Sequence, residues 1–287
     1  MTDSKLIRKP KTLRQAVNLG VSLLKKKNIS NARNEVIWFL EHYLEINKKQ
    51  FLDILKEPVS NDSYEGLNYF LKMRAKQIPF QYILKKTSFY GRDFSVENCA
   101  LIPRPESEII IEILKKSKNK GRKLLDIGTG TGCLGITSHL EKLADVIHLI
   151  DINSNILKLA QKNCRLHNIK KARFIMTDIL LSIPTTKYDI ILSNPPYISK
   201  SEFKLLDESV RTYEPTKALT DFDDGYKFYK RYGAIFKSIM NKKAIAILEL
   251  SHLFDLKKIR NIFKDFSNIK FHKDLNGDTR VVSLIND

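Results

Sequence analysis

The residues with the clearest potential for chemistry are Asn194, Pro195, Pro196 and Tyr197, which directly follow the apolar run from Tyr188 to Ser193. The Asn194 side chain has a carbonyl oxygen that can accept a hydrogen bond from an amino or amide N–H. Each proline fixes φ near about −65° and lacks an N–H, so the carbonyl groups of this segment point in set directions. Tyr197 could cover one face of a flat group. The segment therefore predicts a site that holds a planar NH2 group for alkylation, although an isolated Asn-Pro-Pro can also be a simple turn.

A glycine loop and three acidic residues form a second pattern. The loop consists of Gly128, Thr129, Gly130, Thr131 and Gly132. Glycines let a backbone approach a ligand closely, and Asp126, just before the loop, could pair with an amino group lying over it. Asp151 could hydrogen-bond both ribose hydroxyls, as in sites for NAD or S-adenosylmethionine, and Asp178 could accept an adenine N–H. An adenosyl ligand fits all three acids, while any one alone could be a strand-end or helix-cap residue.

Apolar strands alternate with helical stretches from Lys123 onward, a pattern typical of a doubly wound α/β fold with a parallel sheet. The predicted strands are Lys123 to Ile127, Val146 to Ile150, Arg173 to Met176, Tyr188 to Ser193, Ala244 to Leu250, Ile269 to Lys273 and Thr279 to Ile285. The last two flank Asn276-Gly277, which favours a tight turn, so we expect a seven-stranded, mostly parallel sheet that ends in an antiparallel hairpin.

Asn194 and the glycine loop are expected to face one crevice. Ligands of open α/β sheets lie at the carboxyl ends of the strands, and both segments directly follow a predicted strand. An adenosyl ligand and an NH2 group would then meet. The pair of motifs resembles a class I S-adenosylmethionine-dependent N-methyltransferase, a Rossmann-like group that includes adenine-N6 DNA methyltransferases.

The character of the sequence changes near residue 86. Before it, apolar residues recur at helical spacing, which predicts a small helical bundle over residues 1–85 with a role in substrate recognition. Residues 86–105 are aromatic and extended, and are predicted to form a linker or hairpin. Residues 106–287 would be the cofactor-binding catalytic domain.

Composition narrows the class of protein. The 287 residues carry a formal net charge of +18, which suggests proximity to RNA or the ribosome through a basic surface, although the excess of Lys over Arg also fits composition bias. Cys99, Cys133 and Cys164 are too widely spaced for a disulfide framework or a zinc site, so no metal is expected. Neither a long apolar run nor an N-terminal leader pattern is present, which favours a cytoplasmic, bacterial protein without a membrane partner. We expect a monomer.

Further motifs narrow the resemblance. They are Ile78-Pro79-Phe80-Gln81-Tyr82, Phe89-Tyr90-Gly91, Leu101-Ile102-Pro103-Arg104-Pro105-Glu106-Ser107-Glu108 and the segment from Val210 to Leu219. Together with the glycine loop and the segment from Asn194 to Tyr197, they resemble the PrmC/HemK family of peptide-chain release factor protein-(glutamine-N5) methyltransferases. The resemblance extends from about residue 10 to about residue 285, with the motifs in the family order.

The resemblance implies a specific reaction. Such an enzyme would use S-adenosylmethionine to methylate the glutamine of the Gly-Gly-Gln loop in class I release factors, leaving S-adenosylhomocysteine and supporting translation termination. The catalytic and substrate-binding residues would be Asn194, Pro195, Pro196 and Tyr197. The residues that contact the cofactor, including the three acids above, would be Asp126, Gly128, Thr129, Gly130, Thr131, Gly132, Asp151, Asp178, Ile179 and Asn194.

A few positions depart from the family pattern. Lys85 stands where a glycine is expected, Leu250 follows Glu249 where a more glycine-like end is usual, and Ile179 replaces an aromatic residue found in some members. These positions affect loop shape and adenine packing rather than the reacting groups.

The roles of three charged residues near the site stay open. Arg104 could anchor Glu106 or Glu108, or line the glutamine pocket. Arg211 and Glu214 could pair with each other or shape a loop that closes over the substrate.

Two other functions remain open. An adenine-N6 methyltransferase acting on DNA or RNA would suit the positive charge, because a flipped adenine presents its amino group much as glutamine presents its amide. The helical first part without a recognisable nucleic-acid module argues against it. A noncatalytic ribosome-associated protein that keeps the fold is the third possibility, and the intact Asp151 and Asn194 argue against that.

Overall fold

The computed structural model describes residues 10–117 and 121–287. Residues 1–9, on which the expectation about an N-terminal leader rests, lie outside the described residues. The described part of the chain divides into a helical unit that ends at Leu84 and an α/β unit that begins at Lys85. None of the described helices is long and apolar enough to cross a membrane.

The helical unit is built from short amphipathic helices. They are α1 (Leu13–Lys26), α2 (Ala32–Tyr43), α3 (Lys48–Asp53), α4 (Asn61–Ala75) and α5 (Phe80–Leu84). Ser60 caps α4 by accepting a hydrogen bond from Ser63 N, because the first backbone N–H groups of a helix have no partner inside it. Asn31, which precedes α2, makes no such bond, and its side-chain oxygen instead accepts a hydrogen bond from the Asn34 side chain.

Aromatic stacking organises the core of the helical unit. The Phe39 and Phe70 rings stack with their centroids 4.5 Å apart, and Phe80 meets Phe70 edge-on. Both Phe39 and Phe70 are buried. The apolar positions that predicted the helices therefore face one shared core.

The α/β unit opens with a hairpin of β1 (Lys86–Phe89) and β2 (Arg92–Ser95). Tyr90 and Gly91 in its turn both have positive φ, the geometry that suits the twist of a two-residue hairpin. Phe89 and Phe94 are fully buried and pack edge-to-face, with centroids 6.2 Å apart. The hairpin thus belongs to the core of this unit.

The central sheet follows the predicted alternation of strands and helices. Its strands are β3 (Gly121–Ile127), β4 (Ala144–Asp151), β5 (Ala172–Met176), β6 (Tyr188–Ser193), β7 (Met240–Glu249), β8 (Asn268–Lys273) and β9 (Thr279–Ile285). The other elements are a short 3-10 helix (Pro105–Ser107), α6 (Glu108–Lys116), α7 (Cys133–Leu140), α8 (Ser154–Leu166), α9 (Lys200–Phe203), α10 (Glu208–Tyr213), α11 (Thr216–Leu219), α12 (Lys227–Ile239) and α13 (Leu256–Ile262).

Strand order confirms the predicted fold class. Among the described residues the sheet has seven strands in the order β5-β4-β3-β6-β7-β9-β8. The pairs from β5 to β7 are parallel, and β9 pairs antiparallel with β7 and β8. Gly277 in the final turn has a φ of 89°, which a glycine adopts without strain.

Strand β7 begins four residues before its predicted start at Ala244. Lys243 has a φ of 63°, and the register with β6 shifts between Tyr188 and Ile190. Such a bulge inserts extra residues into one strand. The polar residues before Ala244 therefore belong to the strand, although they break its apolar pattern.

The order of the sheet reverses at β3. Its neighbours are β4, which follows it in the chain, and β6 on the other side. At such a switch point the connections leave in opposite directions and open a crevice beyond the carboxyl ends of the strands. The fold places the glycine loop and Asn194 at this crevice.

Candidate active site

A cavity of about 360 Å³ lies beyond the carboxyl ends of β3, β4 and β6. Among the residues that line it are Gly128, Thr129, Gly130, Thr131, Asp151, Asp178, Ile179, Asn194, Pro195 and Pro196. This size falls within the range of small-molecule sites, about 300–1,000 Å³. The structure thus brings most of the sequence-predicted site residues to one cavity, whereas Asp126, Gly132 and Tyr197 lie behind its wall.

The glycine loop exposes its backbone to the cavity. Gly128 and Gly130 have φ values of 67° and 56°, and a Cβ added at either would meet nothing within 4 Å. Gly132 differs, because a Cβ there would lie 2.9 Å from Ile136 Cδ1. The first two glycines therefore supply the positive φ that the turn needs, and Gly132 also allows close packing at the start of α7.

Asp126 shapes the loop from inside the protein. Its Oδ2 accepts hydrogen bonds from Thr129 Oγ1 at 2.7 Å and from Gly135 N at 3.1 Å. The side chain is buried, so it does not reach a group lying over the glycines as the sequence suggested. Burial raises the pKa of Asp126 to about 7, against the opposing effect of these two hydrogen bonds.

Asp151 ends β4 with its carboxylate at the cavity. Its Oδ1 accepts from Asn153 N at 3.2 Å, and its Oδ2 accepts from Gly130 N at 3.4 Å. A carboxylate has about four lone-pair sites, which is more than the backbone donors around Asp151 occupy. Burial raises the pKa of Asp151, which these backbone bonds oppose. The arrangement suits a ligand with neighbouring hydroxyl groups.

Asp178 and Ile179 follow β5 on another side of the cavity. Asp178 Oδ1 accepts from Leu180 N at 2.8 Å, which fixes the turn. The Ile179 side chain is buried, and its carbonyl oxygen accepts from Arg231 Nε. Together they present an apolar wall next to a hydrogen-bond acceptor, a combination that suits a flat heterocycle with an amino group.

Asn194 and Tyr197 are joined through two residues that the sequence analysis did not assign to the site. Asn194 Nδ2 donates to Ser107 Oγ at 3.1 Å, and Ser107 Oγ donates to Glu249 Oε2 at 2.5 Å. Tyr197 OH donates to the other oxygen, Glu249 Oε1, at 3.1 Å. Glu249 ends β7, the strand beside β6, and this placement at the shared sheet edge is the signal that could have identified it.

The Tyr197 ring lies behind the cavity rather than over it. It packs edge-on against Phe254, with centroids 6.5 Å apart. Burial, followed by the nearby negative charge of Glu249, raises the pKa of Tyr197. The hydroxyl is therefore kept protonated as a hydrogen-bond donor.

Arg104 pairs with Glu214, at 2.5 Å, and not with Glu106 or Glu108. Glu214 is buried and also accepts from Ile102 N. Arg211, considered as a partner of Glu214, donates to the Lys204 carbonyl oxygen instead. The ion pair ties the segment before α6 to the segment before α11, and both segments line the cavity.

The cysteines show no sign of a metal site. Cys99 and Cys133 line the cavity, and burial raises the pKa of Cys133 to about 12, which keeps it a thiol. Across residues 10–117 and 121–287, no group of three or more His, Cys, Asp or Glu side chains is arranged to hold a metal ion.

Comparison with known proteins gives two family matches. Residues 15–84 match the PrmC N-terminal domain, and residues 105–212 match the methyltransferase small domain. The chain is 33% identical over 285 residues to the release factor glutamine methyltransferase of Bacillus subtilis, covering 96% of this chain and 98% of that protein. It is 32% identical over 271 residues to the protein of the same name from Fusobacterium nucleatum, covering 92% and 76% respectively.

The fold of the α/β unit also occurs among solved structures. A methyltransferase from Pyrococcus furiosus superposes with a TM-score of 0.51 at 17% identity, covering 69% of this chain and 90% of that one. At this identity the likeness supports the architecture of the α/β unit alone.

The buried carboxyl group of Asp126 predicts a specific dependence of stability on pH. Its folded pKa of about 7 lies above the ordinary value of 3.8, so the folded state holds the proton more tightly. The resulting stabilisation is present below about pH 4 and is lost as the pH rises through about 7. Asp126→Asn keeps an acceptor oxygen but cannot ionise. We therefore expect the difference in the free energy of unfolding, parent minus Asp126→Asn, to decrease between about pH 4 and pH 7. The decrease should be about 1.4 kcal/mol for each unit by which folding raises the pKa of Asp126.

Denaturant unfolding at a series of pH values measures this difference. Asp145→Asn, at an exposed position near the start of β4, controls for the loss of one carboxylate. A parent-minus-variant difference that stays flat between pH 4 and pH 7 would contradict the predicted role of burial at Asp126.

Proposed function

The chain belongs to the release factor glutamine methyltransferase family, and we propose that it methylates the side-chain nitrogen, N5, of the glutamine in the Gly-Gly-Gln loop of class I peptide-chain release factors. The methyl donor in this proposal is S-adenosylmethionine. The observation that carries the proposal is that the glycine loop after β3 and Asn194 after β6 line the same cavity. A methyl donor on the loop and an amide at Asn194 would be neighbours there.

The cavity has the features that an adenosyl ligand requires. Gly128 and Gly130 offer close backbone approach, Asp151 has lone pairs for ribose hydroxyls, and Asp178 with Ile179 suits the adenine. Asn194 lines the same cavity, where it would meet the substrate amide. When bound, S-adenosylmethionine supplies a methyl group on a positively charged sulfur. Carboxylates around the cavity favour a ligand of that charge.

The proposed catalysis depends on how the chain holds the glutamine NH2. An amide nitrogen is a poor nucleophile because its lone pair is delocalised into the carbonyl group. Hydrogen bonds from the two N–H groups to Asn194 Oδ1 and to the Pro195 carbonyl oxygen raise the electron density on nitrogen and set its direction. Pro195 and Pro196 keep these acceptors rigid, and Tyr197 stiffens the segment from behind. Positioning thus provides most of the acceleration, and the proton lost by nitrogen passes to solvent.

The helical unit is proposed to recognise the release factor. Its match to the PrmC N-terminal domain supports this role. Trp38 and Tyr69 are exposed on it, and aromatic residues are enriched at protein interfaces. Lys25, Lys26 and Lys27 are also exposed, and their charge suits a protein that works near ribosomal RNA. We place this activity in a bacterial cytoplasm, with the chain acting as a monomer.

A transfer assay tests the proposed substrate. The purified protein is incubated with S-adenosylmethionine carrying a labelled methyl group, and with a release factor, its Gly-Gly-Gln Gln→Ala variant, DNA or RNA in parallel. Label should appear in the intact release factor alone, and tandem mass spectrometry should place it on the glutamine side chain. Label in the Gln→Ala variant, or only in nucleic acid, would show that the proposed substrate is wrong.

Asn194→Ala is expected to lower kcat by about 100-fold or more, because it removes an acceptor aimed at the substrate nitrogen. Binding of S-adenosylhomocysteine, measured by calorimetry, should change little, since the adenosyl contacts come mainly from the loop and from Asp151. Retained turnover in this variant would mean that the Asn194 oxygen does not hold the amide.

A further inference from the structure

A continuous chain of hydrogen bonds runs behind the proposed amide site from Asn194 through Ser107 and Glu249 to Tyr197. The three links are 3.1 Å, 2.5 Å and 3.1 Å long. Ser107 and Glu249 are both only 3% exposed. Ser107 ends the 3-10 helix and Glu249 ends β7, so the chain joins segments that are far apart in the sequence. Ser107 lines the cavity beside Asn194, whereas Glu249 is not among the lining residues, so water has little access to the carboxylate.

The carboxylate of Glu249 imposes one direction on the whole chain. An ionised carboxylate accepts hydrogen bonds and cannot donate them, so Ser107 and Tyr197 must both donate to it. The single hydroxyl proton of Ser107 is then used in the bond to Glu249. In its contact with Asn194, the Ser107 oxygen can therefore only accept a hydrogen bond. Asn194 therefore turns its NH2 toward Ser107, which leaves its carbonyl oxygen, Oδ1, for the cavity.

Several charged and titratable groups around Glu249 affect the pKa of its carboxyl group. Burial raises its pKa, and the hydrogen bonds from Ser107 and Tyr197 together with the charge of Arg280 on β9 oppose this rise. The negative charge of Glu106 acts in the same direction as burial. Tyr229 donates to the Glu249 backbone carbonyl oxygen at 2.5 Å and leaves the carboxylate oxygens to Ser107 and Tyr197.

We propose that Glu249 and Ser107 are positioning residues that fix the orientation of the Asn194 amide, so that its oxygen and not its NH2 faces the substrate nitrogen. The inference rests on the proposed function and extends it to residues outside the Asn194 to Tyr197 segment. The reversed amide would set one NH2 group against another, two donors without an acceptor, and the site could not hold the glutamine. The same carboxylate holds the Tyr197 hydroxyl and so stiffens the segment at both ends.

Substitutions separate this role from simple packing. Ser107→Ala removes the acceptor that holds the Asn194 NH2, whereas Ser107→Thr keeps the hydroxyl. Glu249→Met keeps a side chain of similar length but removes both acceptor oxygens, so the Ser107 hydroxyl proton is free to turn toward Asn194. A packing role predicts a mild effect for Glu249→Met, whereas an orienting role predicts a large one.

The test measures kcat and KM for methylation of a release factor, the affinity for S-adenosylhomocysteine, and the thermal unfolding midpoint. We expect Ser107→Ala and Glu249→Met to lower kcat by about 10-fold to 100-fold, with cofactor affinity within about 2-fold of the parent. Ser107→Thr should keep kcat within about 3-fold. Ser138→Ala is the matched control and should keep the parental kcat, because this hydroxyl in α7 is also buried but donates to the Leu134 carbonyl oxygen and not to Glu249.

Several outcomes would overturn the proposal. Parental kcat in Ser107→Ala would exclude it, as would equal losses in Ser107→Thr and Ser107→Ala. If Ser107→Ala does not fold, Glu249→Met decides, and parental kcat in that folded variant overturns the proposal. Failure of the proposed function gives a different result, because the parent protein itself would then not methylate the release factor. The inference about Ser107 and Glu249 would be wrong in that case as well.

Discussion

The register between β3 and β6 is the constraint on which the site depends. Ile127 lies opposite Ser193, and Ser193 Oγ donates to the Ile127 carbonyl oxygen at 2.8 Å. Both strands therefore end at the same level, and the next residue of each, Gly128 and Asn194, leaves the sheet beside the other. A shift of one residue would reverse the faces of every side chain in β6 and separate the loop from the amide-binding segment. The parallel pairing thus converts two distant sequence motifs into one cavity.

Buried carboxylates stabilise the geometry on both sides of this cavity. Asp126 lies under the glycine loop and Glu249 lies behind Asn194, and each accepts two hydrogen bonds. Taking such groups out of water is costly unless their lone pairs are used, so each carboxylate favours one arrangement of its donors. The loop conformation and the amide orientation are consequently set in part by two carboxylates that are not among the residues lining the cavity.

Local patterns were sufficient to predict the sheet and the two motifs at its edge. Period-two and continuous apolar runs identify each strand of the α/β sheet, and Asn276-Gly277 identifies the last turn. The early start of β7 was missed because the bulge at Lys243 breaks the pattern. Asp126 was expected to face a ligand because the position of an acid before a loop does not reveal which way its side chain points. Ser107 and Glu249 are 142 residues apart, and their contact depends on the placement of β7 beside β6.

The central claim is that one cavity holds the methyl donor on the glycine loop and the glutamine amide on Asn194. A crystal structure with S-adenosylhomocysteine and a peptide containing Gly-Gly-Gln tests it most directly. We predict that the ribose hydroxyls bind Asp151, and that the glutamine NH2 donates to Asn194 Oδ1 and the Pro195 carbonyl oxygen, at about 2.7–3.2 Å. A glutamine bound away from Asn194, or an adenosyl group outside the loop between Gly128 and Gly132, would contradict the account.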